Sequence, residues 1–473
     1  MRMLSASIMQ TRLSCAEPSR SIPVVADADV IVCGGGPAGV AAALSAARSG
    51  ARVVLIELQG CLGGVWTAGL LGFIIDGNAE TGVMADILRG ITAWQDGRGP
   101  QFCDRPVSAE RPRRGVSYSA ETMKVALEDL CASAGVRVRL HTRVVTALND
   151  AQGRLTTVIT ESKNGREAWR ARVFVDCTGD GDLAAQAGCA FAFGRDDPEP
   201  RTAGPRTGQT QAMTLMGLVT GPDYGQVSHF VTGRVFDNGQ GKDALVAEFG
   251  RAGFALSYSR PTLFHIHDRL YALMANHAYG YSGIDADDLT AATLASRAEV
   301  FSAVRALRRL GGVWAHLELV ATGNHIGVRE GRRIAGLMTV TREDLINGAR
   351  YPDAVTHVTF PVDVHATARS PGNGSPGAAA NGYSNEGVHA RPYDIPFGAL
   401  VARDVDGLLL AGRCISGDFI AHASYRVTGY SVELGEAAGR AAAWCARRGV
   451  SPHKVAWRQI VAEDDPPAGS GSA

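Results

Sequence analysis

A glycine-rich turn between two apolar segments restricts the fold of this chain more than any other feature of its sequence. Residues 29–33 form a short apolar run with β-branched side chains, and the run leads directly into Gly34-Gly35-Gly36-Pro37-Ala38-Gly39. The alanine-rich segment 40–49 is followed by a glycine, and residues 52–57 form a second apolar run. This order predicts a strand, a tight turn, a helix and a second strand, the unit from which parallel α/β sheets are built.

The glycine spacing predicts a dinucleotide site at this turn. In G-x-G-x-x-G the first glycine allows the turn, the second lets the backbone approach a pyrophosphate, and the third lets helix and strand pack closely. The helix N-terminus presents free N–H groups to the phosphates. A carboxylate that ends the second strand can accept hydrogen bonds from ribose hydroxyls. The predicted contacts are Gly34, Gly36, Pro37, Ala38, Gly39 and Glu57.

The charge and hydropathy of the chain restrict the kinds of partner that it can bind. The chain carries 47 basic and 47 acidic residues, with a pI near 7.2, and therefore has no field that would attract nucleic acid. No segment approaches the roughly 18 to 20 apolar residues of a membrane span. Residues 1–27 lack the apolar core of a signal peptide, so we expect a cytoplasmic protein, and we expect residues 466–473 to be disordered.

The nine cysteines are scattered and contain no C-x-x-C, which argues against a disulfide framework, a zinc ribbon and a dithiol redox centre. His265 and His267 would share one strand face, but no third ligand lies near them in the sequence. No metal site is predicted.

A glycine doublet after the second strand indicates which dinucleotide is bound. Gly60-Cys-Leu-Gly63-Gly64-Val-Trp-Thr67 resembles the corresponding loop of FAD-binding oxidoreductases of the glutathione-reductase type, in particular the branch that contains succinate dehydrogenase flavoproteins. In those families the doublet lies against the pyrophosphate and the flavin ribityl. The resemblance implies FAD as the cofactor and Gly63, Gly64 and Thr67 as contacts, with a flexible loop as the alternative.

The next segments occur in the order that this resemblance requires. Residues 120–134 have a helical pattern, and residues 136–142 alternate as a strand. The strand leads to Val144, which in such flavoproteins would hold the adenine through backbone hydrogen bonds.

A predicted hairpin follows. Asn164-Gly165 is a strong hairpin turn signal between predicted strands 155–161 and 168–172, and the resemblance implies that they belong to the small β-meander of the family. Residues 173–177 resemble the strand that returns to the cofactor. This places Thr178, Gly179 and Asp180 beside the phosphates.

The C-terminal run from residue 407 to 439 resembles the final strand and helix that close an FAD site, with the helix N-terminus directed at the flavin. It implies contacts from Gly412, Gly429 and Ser431. Arg413 occupies a position where many relatives have an acidic residue, so the ribityl contact could pass to Asp418 or to the backbone. With the segments 325–334, 341–344 and 393–396, the chain resembles the FAD-dependent oxidoreductase family from about residue 29 to 448.

These segments predict an α/β fold with a Rossmann-like FAD-binding domain, made of a parallel sheet plus a β-meander, and an inserted α+β substrate or cap domain. The predicted domains are an N-terminal extension (1–27), a discontinuous FAD-binding domain (28–190 and 395–450), the insertion (191–394) and a C-terminal tail (451–473).

Within the insertion, residues 212–219 and 357–362 are predicted strands and residues 290–310 a helix. The apolar residues at helical spacing in that helix are Leu294, Val300, Phe301, Val304 and Leu307. Thr341 and Asp344 have the spacing of a capping box. Residues 370–385 are predicted to form a long functional loop.

Two features that the sequence lacks restrict the type of reaction that the protein can catalyse. A resident NADPH domain would need a second strand–glycine–helix unit, and the sequence has none outside residues 29–57. Disulfide reduction is disfavoured by the cysteine pattern. The flavin is therefore expected to be reduced by its own substrate or by a separate partner, and to pass electrons to oxygen, a quinone or another protein.

The strongest catalytic candidates are His422 and Arg426, which the resemblance places on the closing helix, because their spacing to Ser431 resembles the His–x–x–x–Arg–(x)4–Ser pattern of succinate dehydrogenase and fumarate reductase flavoproteins. In those enzymes the arginine holds the substrate carboxylate. A core position for His422 and a surface or phosphate-facing position for Arg426 are the alternatives.

Three further residues are candidates. Arg329 is a second arginine that could hold the substrate, and the alternative is a buried structural pair with Glu330 or Asp344. Tyr393 could donate a hydrogen bond at the flavin face or pack in an interface. His365 shares a strand face with Asp363 and could serve as the base, as could His357. A covalent flavin bond to Cys61 or a histidine is left open.

The sequence therefore predicts an FAD-dependent dehydrogenase or oxidase that oxidises a small polar substrate by hydride transfer to flavin N5. The alternatives are a monooxygenase or reductase that a partner reduces, and a non-redox FAD-binding protein, either an isomerase or hydratase or a scaffold subunit. The oligomeric state is left open.

Overall fold

The computed structural model describes residues 15–77, 81–95, 101–105, 113–195, 209–232, 239–369 and 382–464. The predicted disorder of residues 466–473 and most of the predicted loop 370–385 lie outside this part of the chain.

The strands are β1 (Val24–Cys33), β2 (Val53–Ile56), β3 (Phe73–Ile74), β4 (Gln101–Arg105), β5 (Arg113–Ser117), β6 (Arg137–Arg139), β7 (Arg143–Asn149), β8 (Leu155–Ser162), β9 (Gly165–Asp176), β10 (Phe191–Phe193), β11 (Gly217–Thr220), β12 (Thr262–His267), β13 (Leu270–Met274), β14 (Glu318–Thr322), β15 (Arg332–Ile334), β16 (Ala354–Val358), β17 (Val364–His365), β18 (Tyr383–Ser384), β19 (Tyr393–Pro396) and β20 (Leu408–Leu410). The α-helices are α1 (Pro37–Arg48), α2 (Gly82–Trp94), α3 (Ala120–Ser133), α4 (Asp182–Gln186), α5 (Tyr224–Val227), α6 (Gln240–Arg251), α7 (Ala286–Arg309), α8 (Arg342–Asn347), α9 (Phe419–Tyr425), α10 (Thr428–Arg448) and α11 (Trp457–Asp464). Short 3₁₀ turns span Gly64–Trp66, Ser228–Phe230, Gly312–Trp314, Phe397–Leu400, Gly412–Cys414 and Pro452–Lys454.

The main sheet confirms the predicted α/β class. Its strand order is β6-β2-β1-β9-β8-β7, and β20 pairs with the second half of β9. Strands β6, β2, β1, β9 and β20 are parallel, whereas β7, β8 and the first half of β9 form the predicted antiparallel meander. The two strands predicted for 168–172 and 173–177 form the single strand β9. The reason is that β1 pairs with β9 continuously across both predicted segments.

The parallel strands end at one edge of this sheet. After β1 comes the glycine turn, after β2 comes Glu57, after β9 comes Thr178, and after β20 comes Gly412. Open α/β sheets bind their ligands at the carboxyl ends of parallel strands. The sheet therefore brings the sequence motifs to one place although they lie far apart along the chain.

A second, four-stranded antiparallel sheet has the order β12-β13-β11-β14. It packs with α6 and α7 around its own apolar core, to which Val219, Leu273, Val304 and Trp314 belong. The predicted helix is confirmed as α7, but Leu294 and Phe301 are 61% and 53% exposed. Assigning them to the apolar face is wrong, since they lie outside the stripe that carries Val300, Val304 and Leu307.

The sequence pattern places residues 340–394 in the insertion, yet Val340, Leu345, Val358 and Val364 pack in the core of the main sheet. Strands β11 and β16 overlap the predicted strands 212–219 and 357–362 only in part. The capping box is present, because the Thr341 hydroxyl accepts from the Asp344 N–H and Asp344 accepts from the Thr341 N–H.

Near the C-terminus, α11 lies inside the predicted tail, and its Trp457 ring stacks on Phe397. Among the helices in the described residues, none combines the length and the apolar character needed to cross a membrane.

Candidate active site

The first and third glycines of the turn are needed for packing. Gly34 has φ +99°, a left-handed conformation that favours glycine, and a Cβ there would overlap the Cys177 carbonyl. A Cβ on Gly39 would overlap the Gly34 carbonyl oxygen. Both glycines therefore close the turn against the neighbouring strand.

Gly36 needs a different explanation. It is the N-cap of α1 with φ −71° and ψ −172°, a conformation open to any residue. A Cβ built on it would meet no atom of the described residues within 4 Å. Since neither backbone nor packing requires glycine here, the open space over the helix N-terminus fits a pyrophosphate. Gly64 lies against this turn, because its Cβ would come 3.1 Å from the Gly36 Cα.

Glu57 and Thr67 hold the loops around this space. The Glu57 carboxylate accepts from the Gly35 N–H at 2.5 Å and from the Gln59 N–H at 2.7 Å. Burial raises the pKa of this carboxyl. The Thr67 hydroxyl donates to the Leu62 carbonyl, so it stabilises the doublet loop. Ribose binding by Glu57 and cofactor contact by Thr67 stay predictions.

Val144 lies at an interruption of the meander. The β7–β8 register shifts between Val144 and Thr146, which marks a β-bulge. Bulges disrupt the ladder and are frequent beside active sites. This geometry is compatible with the predicted backbone contact to the adenine.

The loop after β9 is held by Asp176, a buried carboxylate that sequence reasoning does not select. It accepts from the Thr178 N–H at 2.9 Å, the Thr178 hydroxyl at 2.7 Å and the Ala184 N–H at 2.8 Å. Burial raises its pKa to about 6 although these donors oppose the shift. The signal in the sequence is a single acid directly after the apolar run 173–175 at the end of β9.

The structure explains the unusual Arg413. Its guanidinium pairs with Asp180 at 2.9 Å, across the two loops that follow β9 and β20, and it lies over Gly179. Asp418 caps α9 by accepting from the Ala421 N–H at 2.7 Å, and it accepts from the Arg342 N–H at 2.5 Å. Both Asp418 oxygens therefore bind backbone donors, which does not favour the predicted ribityl contact.

Gly412, Gly429 and Ser431 have different surroundings. A Cβ on Gly412 would lie 3.2 Å from the Ala38 Cβ, which places Gly412 beside the N-terminus of α1. A Cβ on Gly429 would overlap the Asp76 carbonyl, and the Gly429 N–H donates to the Ile75 carbonyl at 3.0 Å. The Ser431 hydroxyl donates to the Val427 carbonyl, one helical turn earlier. Of the three, Gly412 lies nearest to the pyrophosphate turn.

The structure corrects the placement of His422 and Arg426. They are not on the closing helix α10 but on the short preceding helix α9 and its C-cap. His422 is fully buried, edge-on to the Tyr425 ring. Burial, together with Arg333 and Arg426, holds its pKa well below the ordinary range, so it is neutral at pH 7. Both ring nitrogens are buried without a hydrogen-bond partner among the described residues, so the hydrogen-bonded core position is not shown and a catalytic role for His422 stays a prediction.

Tyr393 is also in the core. It is fully buried on β19, and its hydroxyl donates to the Ser424 hydroxyl at 3.0 Å. Burial raises the pKa of the phenol. The structure therefore favours packing over contact with the flavin.

Arg426, Arg329 and His365 come together in one buried group. We call it the arginine–histidine cluster; its members are Arg329, Arg426, Asp363, His365, His277 and Tyr279. Arg426 donates to the Asp363 carbonyl at 2.6 Å and to its carboxylate at 3.2 Å. His365 Nε2 lies 3.3 Å from the same carboxylate, as expected from their shared strand face.

His277 and Tyr279 are missed by sequence reasoning. The His365 Nδ1 lies 3.1 Å from the His277 Nε2, and the His277 Nδ1 lies 3.0 Å from the Tyr279 hydroxyl. A signal is present, because His277-Ala-Tyr279 repeats the alternation of Asp363-Val-His365. Nothing in the sequence shows that these two segments meet.

The cluster carries more positive than negative charge. Arg329 donates to the Ala212 carbonyl at 2.5 Å and to the Thr214 hydroxyl at 2.9 Å, both neutral groups. Burial and the neighbouring Arg426 lower its pKa to about 10. The predicted partners of Arg329 are engaged elsewhere: Glu330 pairs with Arg333 at 2.6 Å, and Asp344 caps α8. Asp363 pairs with Arg426 at 3.2 Å, and its charge opposes the lowering of the pKa of both arginines by burial. Glu330 also opposes the shift of Arg426.

Two buried donors in this region lack an acceptor within the described part of the chain. They are the Arg426 Nε and the Gln211 Nε2. The Gln211 Oε1 accepts from the His365 N–H at 3.0 Å, so its amide is held in the cluster. Buried donors are normally satisfied, and an anionic ligand would satisfy these.

The segment 324–331, which follows β14, contacts the loops of the main sheet. The Asn324 N–H donates to the Ala68 carbonyl at 2.9 Å in the doublet loop, and Gly331 packs tightly against Asp180. This segment carries Arg329. Burial lowers the pKa of Arg426, and the charge of Arg413 adds to this effect, so Arg426 also lies near the loop after β20.

The remaining histidine candidates lie elsewhere. His357 pairs with Asp394 at 2.8 Å and contacts Arg350. A bulge between His265 and His267 breaks the alternation that the sequence predicts for them, and the His265 ring packs on Tyr224. Within the described residues, no group of three or more His, Cys, Asp or Glu side chains is arranged to hold a metal.

A profile of the family described as FAD dependent oxidoreductase matches residues 29–463. The chain belongs to this family. Its cofactor is FAD, and the open space over Gly36 fits the pyrophosphate of that cofactor. The predicted flavoprotein oxidoreductase is thereby confirmed, whereas the substrate and the type of oxidation are not decided by membership.

Individual relatives of this FAD dependent oxidoreductase are distant. A menaquinone reductase of Mycolicibacterium smegmatis is 30% identical over 153 residues, which are 29% of this chain and 34% of that protein. The match thus spans about a third of the curated relative. A geranylgeranyl bacteriochlorophyll reductase-like protein from Thermoplasma acidophilum has 12% identity and a TM-score of 0.45, with 93% of this chain and 84% of that chain covered. p-Nitrophenol 4-monooxygenase from Pseudomonas putida has 12% identity and a TM-score of 0.46, with coverages of 93% and 83%.

Proposed function

We propose that this protein is a dehydrogenase or oxidase that oxidises a small polar substrate carrying an anionic group, such as a carboxylate. The observation that carries the proposal is the pair of buried arginines beside the FAD loops, of which Arg426 pairs with Asp363 while Arg329 donates to neutral groups. Removing an arginine from water without a full counter-charge is costly, so such a site favours an anionic ligand.

The chain's own groups divide the work of binding. Arg426 is oriented by Asp363, which leaves its Nε free to donate to a ligand. Arg329 is oriented by Ala212 and Thr214 and adds the second positive charge. Guanidinium groups bind carboxylates with fixed geometry, and this would align the C–H bond to be broken. FAD supplies the hydride acceptor in such a reaction.

The electrons would then pass to oxygen, a quinone or a partner protein. The second candidate function is a reductase that a partner or a nicotinamide nucleotide reduces, and the similarity to a menaquinone reductase favours it. A monooxygenase that a partner reduces, an isomerase or hydratase, and a scaffold subunit are less favoured, because none of them requires two buried arginines beside the FAD loops.

An anaerobic screen tests the proposal. Hydroxy acids, amino acids, amines, sugars and alcohols are mixed with the FAD-loaded protein, and loss of oxidised-flavin absorbance is recorded. We expect an acid to bleach the flavin. Rapid bleaching by NAD(P)H alone would instead support the reductase, and turnover without any change in the flavin spectrum would support a non-redox enzyme.

Variants of the arginines sharpen this test. In Arg329→Gln we expect FAD to stay bound and the rate of flavin reduction by the acid to fall roughly 100-fold, because the substrate loses a buried charged partner. Arg305→Gln is the matched control, since Arg305 is exposed on α7. Unchanged reduction in Arg329→Gln would remove the arginine from substrate binding.

A further inference from the structure

Two further side chains contact the arginine–histidine cluster, and the sequence analysis selects neither. The first is Gln211, which is 1% exposed. Its Oε1 accepts from the His365 N–H at 3.0 Å and from Arg426 Nη2 at 3.4 Å. Because both of these groups are donors, the amide cannot be turned round, and its Nε2 must point away from them. That Nε2 has no acceptor among the described residues.

The second side chain is Tyr258, which is also 1% exposed. Its ring packs on the His277 ring, with centroids 4.0 Å apart, and its centroid lies 5.9 Å from that of His365. Burial raises the pKa of the phenol although Arg329 opposes the shift, so the hydroxyl carries its proton at pH 7. Within the part of the chain that the structure describes, this hydroxyl makes no hydrogen bond.

Unpaired donors gathered in one place indicate a ligand, because buried donors in folded proteins nearly always have an acceptor. The Gln211 Nε2, the Tyr258 hydroxyl and the Arg426 Nε are three such donors around the cluster. The cluster is not sealed, since the side chains of Arg426 and Asp363 are 10% and 20% exposed. A small molecule with oxygen acceptors would satisfy all three donors.

The fixed charges of the cluster leave one positive charge without a counter-charge. Arg329 and Arg426 are guanidinium groups, and burial lowers the pKa of Arg329 only to about 10. Opposite them is the carboxylate of Asp363. Burial raises the pKa of this carboxyl, but His365 and the two arginines outweigh burial and hold the pKa below its ordinary value. At neutral pH the cluster therefore holds two positive charges and one negative charge.

The neighbouring groups do not change this balance. Burial and Arg329 lower the pKa of His365 to about 3 and hold that of His277 well below its ordinary value, so both rings are neutral at pH 7. Among the described residues, the other charged groups that act on the cluster come in pairs of opposite sign. These are Glu330 with Arg333, Asp180 with Arg413, Asp243 with Arg260, and Glu299 with Arg369. In the first pair Arg333, at 2.6 Å, favours the ionised form of Glu330, although burial raises the pKa of that carboxyl.

We propose that the cluster binds a ligand with a single negative charge, a monocarboxylate rather than a dicarboxylate, and that Gln211 and Tyr258 hydrogen-bond its oxygens. A monocarboxylate would bring the charge of the cluster to zero. A dicarboxylate would leave one negative charge uncompensated, which is costly away from water. This inference rests on the proposed function, because it names the substrate class for the same oxidation.

Binding of small probes to the FAD-loaded protein tests the charge count. Propanamide, propionate and malonate have the same number of carbons, and at pH 7 they carry no, one and two negative charges. Their Kd values are measured by calorimetric titration in a buffer free of chloride and of other carboxylates. We expect propionate to bind about 10-fold more tightly than either of the others. Binding of malonate as tight as that of propionate, or tighter, would overturn the proposal.

Two variants shift the charge of the cluster in opposite directions. Asp363→Asn removes the negative charge, so we expect the ratio of the malonate Kd to the propionate Kd to fall by about 10-fold. Gln211→Glu adds a negative charge, so we expect propionate to lose its advantage over propanamide. Each readout compares two ligands on the same variant, and a general loss of binding therefore does not imitate it. Wild-type ratios in both variants would contradict the charge count.

Tyr258→Phe tests the hydroxyl while keeping the ring in place. We expect the propionate Kd to rise about 10- to 100-fold, as for loss of a hydrogen bond to a charged group. The unfolding temperature of the apoprotein should be unchanged or higher, because the lost hydroxyl has no partner among the described residues. Tyr271→Phe is the matched control, since the Tyr271 hydroxyl donates to the Pro222 carbonyl at 3.1 Å. It should bind propionate like the wild type and unfold at a lower temperature. Wild-type propionate affinity in Tyr258→Phe would exclude this tyrosine from the site.

The two proposals fail in different ways. If propionate binds as expected but no acid reduces the flavin of the wild type, the cluster is an anion site and the proposed oxidation fails. If a dicarboxylate reduces the flavin, Arg329→Gln slows that reduction and monocarboxylates do not react, the proposed function stands and the assignment of a single charge fails.

Discussion

Three glycines of one motif serve different physical purposes. Gly34 and Gly39 have protein backbone where a Cβ would lie, whereas a Cβ on Gly36 would enter open space among the described residues. A substitution at Gly36 should therefore separate protein stability from cofactor binding, which a substitution at either neighbour cannot do.

We predict that Gly36→Ala folds with unchanged or slightly higher stability and binds FAD at least 100-fold more weakly. The backbone at Gly36 suits alanine, and replacing a glycine at a compatible position adds about 0.4 to 1 kcal/mol by restricting the unfolded chain. The methyl group would occupy the space of the pyrophosphate. Thermal unfolding of the apoprotein and titration with FAD measure the two effects. Wild-type affinity in Gly36→Ala would contradict the assignment of this space to the cofactor.

The charged residues at the sheet edge bind groups of the protein itself. Arg413 pairs with Asp180, Asp418 caps α9, and Asp176 holds the Thr178 loop. The sequence analysis selects Arg413, Asp180 and Asp418 but assigns the cofactor to them as a partner. The residue type can be recognised, but the partner depends on which loops the fold brings together.

At the scale of elements, two helices pack unusually closely beside the cofactor site. Cβ atoms on Gly435 and Gly439 of α10 would overlap the carbonyl oxygens of Ala38 and Ala42 in α1. The Ser45 hydroxyl also donates to the Glu436 carbonyl at 3.0 Å. Contact between the backbones of the two helices is therefore what fixes the N-terminus of α1 against the C-terminal part of the FAD-binding region.

We predict that Gly435→Ala destabilises the protein by about 1 to 3 kcal/mol, because overpacking forces the helices apart, and that it weakens FAD binding through displacement of α1. Gly250→Ala is the matched control. Gly250 is exposed in α6, and its Cβ would meet nothing within 4 Å among the described residues, so we expect a gain of about 0.5 to 1 kcal/mol. Denaturant unfolding of the apoproteins measures both. Equal stabilities would show that the helices can separate without cost.

At the scale of the whole molecule, the site joins segments from distant parts of the chain. The pyrophosphate turn, the loop after β9, the segment 324–331 and the loop after β20 meet there. We expect FAD to be held by the native arrangement of these loops together and not by any one of them. Cofactor binding and folding of the main sheet should therefore be coupled.

We predict that removing FAD lowers the unfolding temperature and makes it depend on FAD concentration. Free FAD at 100 times its Kd should add about 2.7 kcal/mol to the free energy of unfolding. Thermal scans over a series of FAD concentrations measure this, with Gly36→Ala as the variant in which the effect should be much smaller. A melting temperature independent of FAD in the wild type would contradict this coupling.

The sequence by itself determined the α/β class and the strand–turn–helix unit, because glycine spacing and apolar periodicity are local and each has a direct physical cause. The cofactor followed from the resemblance to FAD-binding oxidoreductases. It also selected Arg426, Arg329 and His365. Its assignment of His422 and Tyr393 to the site stays a prediction, since the role of a buried histidine or tyrosine is recognised only by what surrounds it.

The tertiary structure alone decided which polar side chains meet. His277 and His365 are 88 positions apart in the sequence, and the Tyr279 hydroxyl that contacts His277 donates to Ser257, 22 positions before Tyr279. Hydrogen bonds and charge balance depend on distances of a few ångströms between segments. Local sequence patterns contain no information about such distances, and for that reason the arginine–histidine cluster became visible only in the folded molecule.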